Sequence, residues 1–409
     1  MPAHPPSREK TDSPSSSADS CVDTSLCITP MASFSPDIPA TRGSPGDLID
    51  HYASRIAPIM VWLDSHKNGY KLLVLPLAET QPLLALAIQT IAAAHVAGSC
   101  DVDLEGFTIS AIRLVTDAIA SVLSLGQSMD DASLIGLLAS TLILSNRSLL
   151  LSDTGTANLH RQAARLVFQS LSIRSSSNND DLVVFLQNQL AIYEILACTT
   201  LSNEEQIKSA VMPRCSTKHD LFRQFLELLH QVTLSSITAL PDCSQDSQFT
   251  TAADLVDRFE VVMGQNLLST GGMLFDRPYS FQQDFVRLVS AYHHAAILYA
   301  LERLRLEDTS GLKILHAEKL VLALQGLHDI EGFLHNLPWP VFILGTVARE
   351  NVDRQETVRS LCTMLVQRTG FKHYQQMLHF LEEFWRTDKQ SWLDMAFELE
   401  SRGLPLVTV

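Results

Sequence analysis

The chain carries fourteen histidines and seven cysteines, the residue types best suited to bind a transition metal or to pair a nucleophile with a base. Their spacing suits neither task. His293 and His294 are neighbours and so point to different sides of a helix. Cys215 and His219 stand four apart, a fair interval for two ligands on one helical face, but no second such pair accompanies them, and no H-E-x-x-H occurs. Paired carboxylates, which hold magnesium in some helical cyclases, occur at Asp130-Asp131 and Asp180-Asp181. Neither pair continues to an aspartate three positions on. Both stand just before apolar runs, where a carboxylate satisfies the free N–H groups of a helix start and meets the positive end of its dipole. No G-x-G-x-x-G, G-x-x-x-x-G-K-[ST] or G-x-S-x-G is present. Asn146-Arg147-Ser148 has the form of a glycosylation acceptor but lacks a secretion signal to give it meaning. His95 and His335 are expected at helix ends near water, and His373 and His379 as surface groups beside the last helix. No residue is therefore assigned a catalytic, cofactor-binding, metal-binding or DNA-contacting role. No cofactor is expected, and the chain is read as a non-enzyme.

The elements that would position such residues read as helices. Of 409 residues, 46% are hydrophobic, enough for a large core, and Gly and Pro are sparse outside the N-terminus. Residues 1–46 are the exception. They hold eight of the seventeen prolines and ten serines with almost no apolar periodicity, so they cannot bury enough surface to offset ordering entropy. A disordered tail is expected there, with Ser-Pro and Thr-Pro pairs that composition alone explains. From Asp47 to the end, apolar residues recur at helical spacing and no strand alternation is seen, which implies one large all-α domain over residues 47–409.

Roughly a dozen helices are expected. They include Pro82 to His95, Phe107 to Leu125, an all-round apolar Asp131 to Leu144, Ala157 to Leu171, Asp181 to Leu196, Lys218 to Leu234, Ala252 to Met263, Phe281 to Leu306 and Leu315 to Leu334. Tyr70 to Ala78 reads as a short apolar connection, and Pro58 as an interruption. Pro338 and Pro340 flank Trp339. The preceding helix must stop by about Leu337, and Pro340 can occupy the first turn of the next. Asp353 is expected to cap the following helix with Glu356 as its capping-box partner, and Gly370 to end it. Tyr374, Met377, Leu378, Leu381, Phe384 and Trp385 then make one buried stripe.

The formal net charge of -15 and the lack of a run of five or more Lys/Arg exclude attraction to nucleic acid by overall field. Odd, scattered cysteines without a C-x-x-C suit a reducing compartment. The apolar runs fall short of a membrane span, and Arg8, Glu9, Lys10 and Asp12 leave no room for a signal sequence. A cytosolic or nuclear protein without membrane contact is expected.

The block Leu337-Pro338-Trp339-Pro340-Val341-Phe342-Ile343-Leu344-Gly345, then Asp353-Arg354, Arg368-Thr369-Gly370-Phe371 and Leu381-Glu382-Glu383-Phe384-Trp385, resembles the C-terminal part of the fungal-specific transcription factor domain. Leu75-Pro76-Leu77-Ala78, Pro82-Leu83-Leu84-Ala85-Leu86 and Ala92-Ala93-Ala94-His95 resemble that family's first helical pair, so the likeness runs in order through residues 47–390. The resemblance implies an all-helical regulatory domain in the nucleus, usually behind a binuclear zinc cluster that binds DNA. That cluster needs six cysteines, and only Cys21 and Cys27 precede the helices here, with five residues between them. DNA is accordingly expected to be reached only indirectly, or through a zinc cluster upstream of this sequence, with protein partners or a homodimer as the direct contacts. The function expected is regulation of a fungal metabolic or secondary-metabolite gene cluster. The alternatives are a helical enzyme with an apolar, terpene-cyclase-like pocket and a small-molecule sensor domain.

Overall fold

A computed structural model describes residues 45–97, 130–174, 180–215, 222–238, 251–307 and 309–408, together with positions 113, 116, 117 and 249. The expected tail thus lies almost wholly outside the described residues, as does most of the helix expected from Phe107 to Leu125. Among the described residues there are sixteen α-helices and no strand. They are α1 (Pro45–His51), α2 (Leu75–Ala78), α3 (Pro82–Val96), α4 (Asp131–Leu150), α5 (Thr154–Arg174), α6 (Asp181–Cys198), α7 (Glu204–Lys208) and α8 (Arg223–Thr238). Then follow α9 (Ala252–Leu274), α10 (Tyr279–Arg303), α11 (Ser310–Gln325), α12 (Ile330–Phe333), α13 (Pro338–Thr346), α14 (Val352–Thr369), α15 (His373–Arg386) and α16 (Trp392–Ser401).

The helix starts follow side-chain chemistry. Asp130 accepts the Ser133 N–H at 2.7 Å and Asp180 accepts that of Leu182 at 2.9 Å, so both aspartate pairs are caps. Asn351, not Asp353, caps α14: its Oδ1 accepts the Arg354 N–H at 2.9 Å, and Asp353 sits in the first turn where it meets the dipole. Gly370 ends α14 in the left-handed conformation at φ 74°.

Two local expectations are corrected. Pro58 does not break the N-terminal path. The chain widens from α1 into a π turn over Tyr52–Ile56 and tightens into a 3-10 turn over Ala57–Met60, where Pro58 lies in the first positions and its missing N–H is not needed. Tyr70 to Ala78 is likewise helical: a π turn over Tyr70–Val74 runs into α2, with Tyr70 and Val74 fully buried. The periodicity was hidden because a π turn places buried residues four apart without the usual third.

The core is one large hydrophobic cluster that takes in α13, with a small second cluster at Cys198, Leu201, Ile207 and Ala210. Every residue from Pro338 to Gly345 is buried, which fits a segment apolar on all sides. Pro338 occupies the first turn, so the helix starts two residues earlier than the reading from Pro340 implies. Gly345 allows close approach to α15: an added Cβ would sit 2.5 Å from Leu381 Cδ1, and Trp385 Nε1 donates to the Gly345 carbonyl at 2.8 Å. Two helices, α4 and α6, are long and apolar enough to cross a membrane, contrary to the expected shortfall. Most of each is buried against other helices of this chain, so their apolarity is that of core helices.

Candidate functional site

Around the start of α13 the aromatic residues assemble into one box. Trp62 stacks on Phe222 at 4.2 Å between ring centres, and Tyr292 stacks on Trp339 at 5.9 Å. Phe225 meets Trp339 edge-on at 6.1 Å. Phe222 holds this place at a positive φ of 60°, a conformation costly for a bulky side chain, so the packing around it overrides local preference. Trp339 Nε1 donates to Thr199 Oγ1 at 3.2 Å, which anchors the box to the end of α6.

Beside the box lies an inner cavity of about 70 Å³. It is walled by residues 59–62, Asn146 of α4, Gln189 and Tyr193 of α6, Tyr292 of α10 and the start of α13. Its polar groups are largely spent on each other. Tyr193 donates to Asn146 Oδ1 at 2.7 Å, Tyr292 to the Asn336 carbonyl at 2.6 Å, and Asn336 Nδ2 to the Trp62 carbonyl at 2.8 Å. Burial pushes the Tyr193 phenol up to about 12, so it stays protonated and acts as a donor. No carboxylate, lysine or cysteine lines this cavity among the described residues. His335 is the one imidazole in the described lining, and its Nε2 lies 3.0 Å from the Val61 carbonyl.

A wider cleft of about 540 Å³ opens outside it and shares Val61, Trp62, Gln189 and Ile192 with the inner wall. Its rim is charged: Asp64, Lys67, Arg223, Asp276 and Arg277. Several of these are already engaged. Lys71 pairs with Asp64 at 3.2 Å, Arg277 donates to the Asp64 carbonyl at 2.8 Å, and Arg223 pairs with Glu227 at 2.8 Å. Trp62 and Phe185 supply aromatic surface under this mixed-charge rim.

The histidines are less superficial than their sequence positions imply. His293 and His294, expected on different sides of α10, both join His316 of α11 in one cluster, with ring centres 4.8 to 6.3 Å apart. His294 Nδ1 lies 3.1 Å from His316 Nδ1, while His293 Nδ1 turns away to the Phe259 carbonyl at 3.2 Å. Burial first, and cationic neighbours second, hold His294 and His316 well below the usual imidazole value. His373 is buried against the Leu149 carbonyl at 3.2 Å, not a surface group. His95 lies 3.0 Å from His51 and His335 lies 3.0 Å from the Val61 carbonyl, so both are tied into the structure. Among the described residues no three His, Cys, Asp or Glu side chains are grouped to hold a metal ion. Cys215 is exposed, and His219 lies outside the described residues.

One feature escaped sequence reading. Glu194 of α6 is fully buried and accepts Arg165 Nε at 2.9 Å, with Arg165 Nη2 at 2.8 Å and Arg161 Nη1 at 3.7 Å. Its other oxygen accepts the Val211 N–H at 2.8 Å. Arg161 and Arg165 stand four apart on α5, a spacing that looks like any solvated helix face. Only the Glu194 partner, about thirty residues on, makes it a core cluster.

A family model for the fungal specific transcription factor domain matches residues 47–224 and 275–404, most of the chain in two segments. The stretch between them, which holds nearly all of α8 and the whole of α9, is unmatched. No curated protein and no solved structure matches the chain.

Proposed function

The chain belongs to the fungal specific transcription factor domain family, and from that membership we propose that it regulates transcription of a metabolic or secondary-metabolite gene cluster in the nucleus. The single observation that carries this reading is the family match, which covers both the N-terminal helices and the Trp339 helix start. The site agrees in kind. Its inner cavity offers phenols, amides, indoles and the His335 imidazole, and no carboxylate, lysine or cysteine lines it among the described residues. DNA specificity is supplied by a partner or by a segment upstream of the helices. Fusing the full chain to a heterologous DNA-binding domain and placing it on a reporter promoter tests this. Altered reporter output supports the reading, and output identical to that of the DNA-binding domain alone removes it.

A second, compatible reading follows from the aromatic-floored cleft of about 540 Å³: the domain senses a small molecule. A thermal-shift screen of the purified chain against amphipathic metabolites separates the two. A ligand that raises the melting temperature in the wild type and not in Gln189→Leu marks a sensor.

A further inference from the structure

Helix α9 presents two unlike faces. Leu255, Phe259, Asn266, Thr270 and Leu274 are buried, with Phe259 packed near Phe225 in the aromatic box. On the opposite side Val261, Leu268 and Phe275 stand seven residues apart and are 59%, 84% and 83% exposed. Seven residues bring a helix nearly back to the same line, with a drift of about 20°. The three side chains therefore form one straight apolar ridge about 21 Å long, at about 1.5 Å per residue. Gly264, Gly271 and Gly272 lie between the knobs, and among the described residues nothing beyond the helix's own backbone comes within 4 Å of where their side chains would start. Glycine inside a helix is destabilising relative to alanine, and here no internal contact requires it. A second helix seated on the ridge would require it, because side-chain-free positions let two backbones approach.

The charges beside the ridge indicate which helix. Asp257, Glu260 and Asp276 are exposed at its two ends, and none forms an ion pair among the described residues. Of the basic residues nearby, Arg258 pairs with Asp254 at 3.2 Å, Arg277 donates to the Asp64 carbonyl, and Arg223, which lines a recess with Leu268, pairs with Glu227 at 2.8 Å. A second copy of this chain would set the carboxylates at one end of its ridge against those at the other end of ours, on a protein of net charge -15. Val261 and Leu268 fall in the stretch that the family model leaves unmatched, and Phe275 is the first residue of its second matched segment.

We infer that the outer face of α9 is a docking surface for an amphipathic helix of another protein, one that carries apolar residues at heptad spacing and Lys or Arg at both ends. This rests on the proposed role as a partner-docking regulator and names the surface and the chemistry of the partner. Charge steers the encounter and sets the choice of partner, while the ridge and its glycine gaps supply the contact.

The test uses the full chain and two labelled 21-residue peptides with identical Leu/Ile heptads, one flanked by Lys and one by Glu. Fluorescence anisotropy is expected to show the Lys-flanked peptide binding at least tenfold tighter. Leu268→Asp, at a position too exposed to disturb folding, should weaken that binding at least tenfold. The combined variant Asp257→Lys, Glu260→Lys, Asp276→Lys should reverse the preference between peptides. Equal affinity for the two peptides, no binding of either, or an undiminished Leu268→Asp overturns the proposal. So does a wild-type dimer in sedimentation velocity that Leu268→Asp dissolves, because a second copy would then be the occupant. The tethered reporter does not depend on this peptide binding, so either result can fail without the other.

Discussion

Neutralising Glu194 is the perturbation with the largest effect that the structure allows to be worked through. Glu194→Gln keeps the shape but replaces one carboxylate oxygen with an NH2 group. Whichever way the amide turns, a donor then faces a donor, either the Arg165 guanidinium or the Val211 N–H, which the carboxylate now satisfies at 2.8 to 3.0 Å. Two buried guanidinium groups also lose their counter-charge, since Arg161 lies 3.7 Å from the same oxygen. Breaking a buried pair from one side costs about 3–5 kcal/mol, because the remaining charge is stranded without water. At a urea slope of about 3 kcal/mol/M, the unfolding midpoint falls by about 1–1.7 M. Arg165→Met should cost a similar amount from the other side. The double variant Arg165→Met/Glu194→Leu should cost less than the two singles added, by at least about 2 kcal/mol, since it removes both buried charges together. Urea melts followed by circular dichroism read all three values. A Glu194→Gln loss under about 1 kcal/mol, or strict additivity in the double variant, would refute the reasoning and make the cluster a solvated pair.

Three further outcomes follow from single residues. Burial, with Arg147 as a second cause, holds His160 down to about 4, and His294 and His316 are depressed as well. Above about pH 7.5 these groups are essentially neutral both folded and unfolded. As pH falls toward 4 the unfolded chain takes up protons that the folded chain refuses, so stability must drop, by up to about 1.4 kcal/mol per pH unit for each histidine. A urea midpoint that stays flat from pH 7 to 4.5 would contradict this, whereas His160→Gln should make the slope shallower. Gly370→Ala forces a side chain into the left-handed region and sets a Cβ 3.3 Å from His95 Nε2. A loss of about 1–2 kcal/mol is expected on melting, and an unchanged midpoint would count against the assigned backbone. Burial pushes the Cys198 thiol up to about 11 and the Cys362 thiol up to about 12, while Cys215 is exposed. Peptide mapping after iodoacetamide at pH 8 should find Cys215 modified in the native protein and the other two only after unfolding.

What could be read from the chain was local and steric. Pro338, Pro340 and Gly370 act on their own backbone, and Asp130 and Asp180 cap helices two or three residues away, so sequence neighbours suffice to place them. The misses share a different cause. Helix α9 runs on to Leu274 where the apolar pattern suggested an end near Met263, because Gly264, Gly271 and Gly272 lower helix propensity without stopping a helix pinned by Phe259, Thr270 and Leu274. Helix α16 went unseen because Trp392 and Leu393 follow a polar stretch and the helix is short. Glu194 and the His294–His316 pair meet partners on other helices, and a charged or imidazole side chain on one helix carries no mark of what packs against it. The wide cleft was illegible for the same reason: its wall joins residues 61–69, α6 and the end of α9, which only the fold brings together.

The claim on which the rest depends is that this helical chain acts on transcription. Genome-wide chromatin occupancy of the epitope-tagged full chain in its own cells measures that most directly. Enrichment at a defined set of promoters, with transcripts of those genes changed when the chain is deleted, is the result predicted. Uniform background across all promoters, with the protein confined to the cytoplasm, would contradict it.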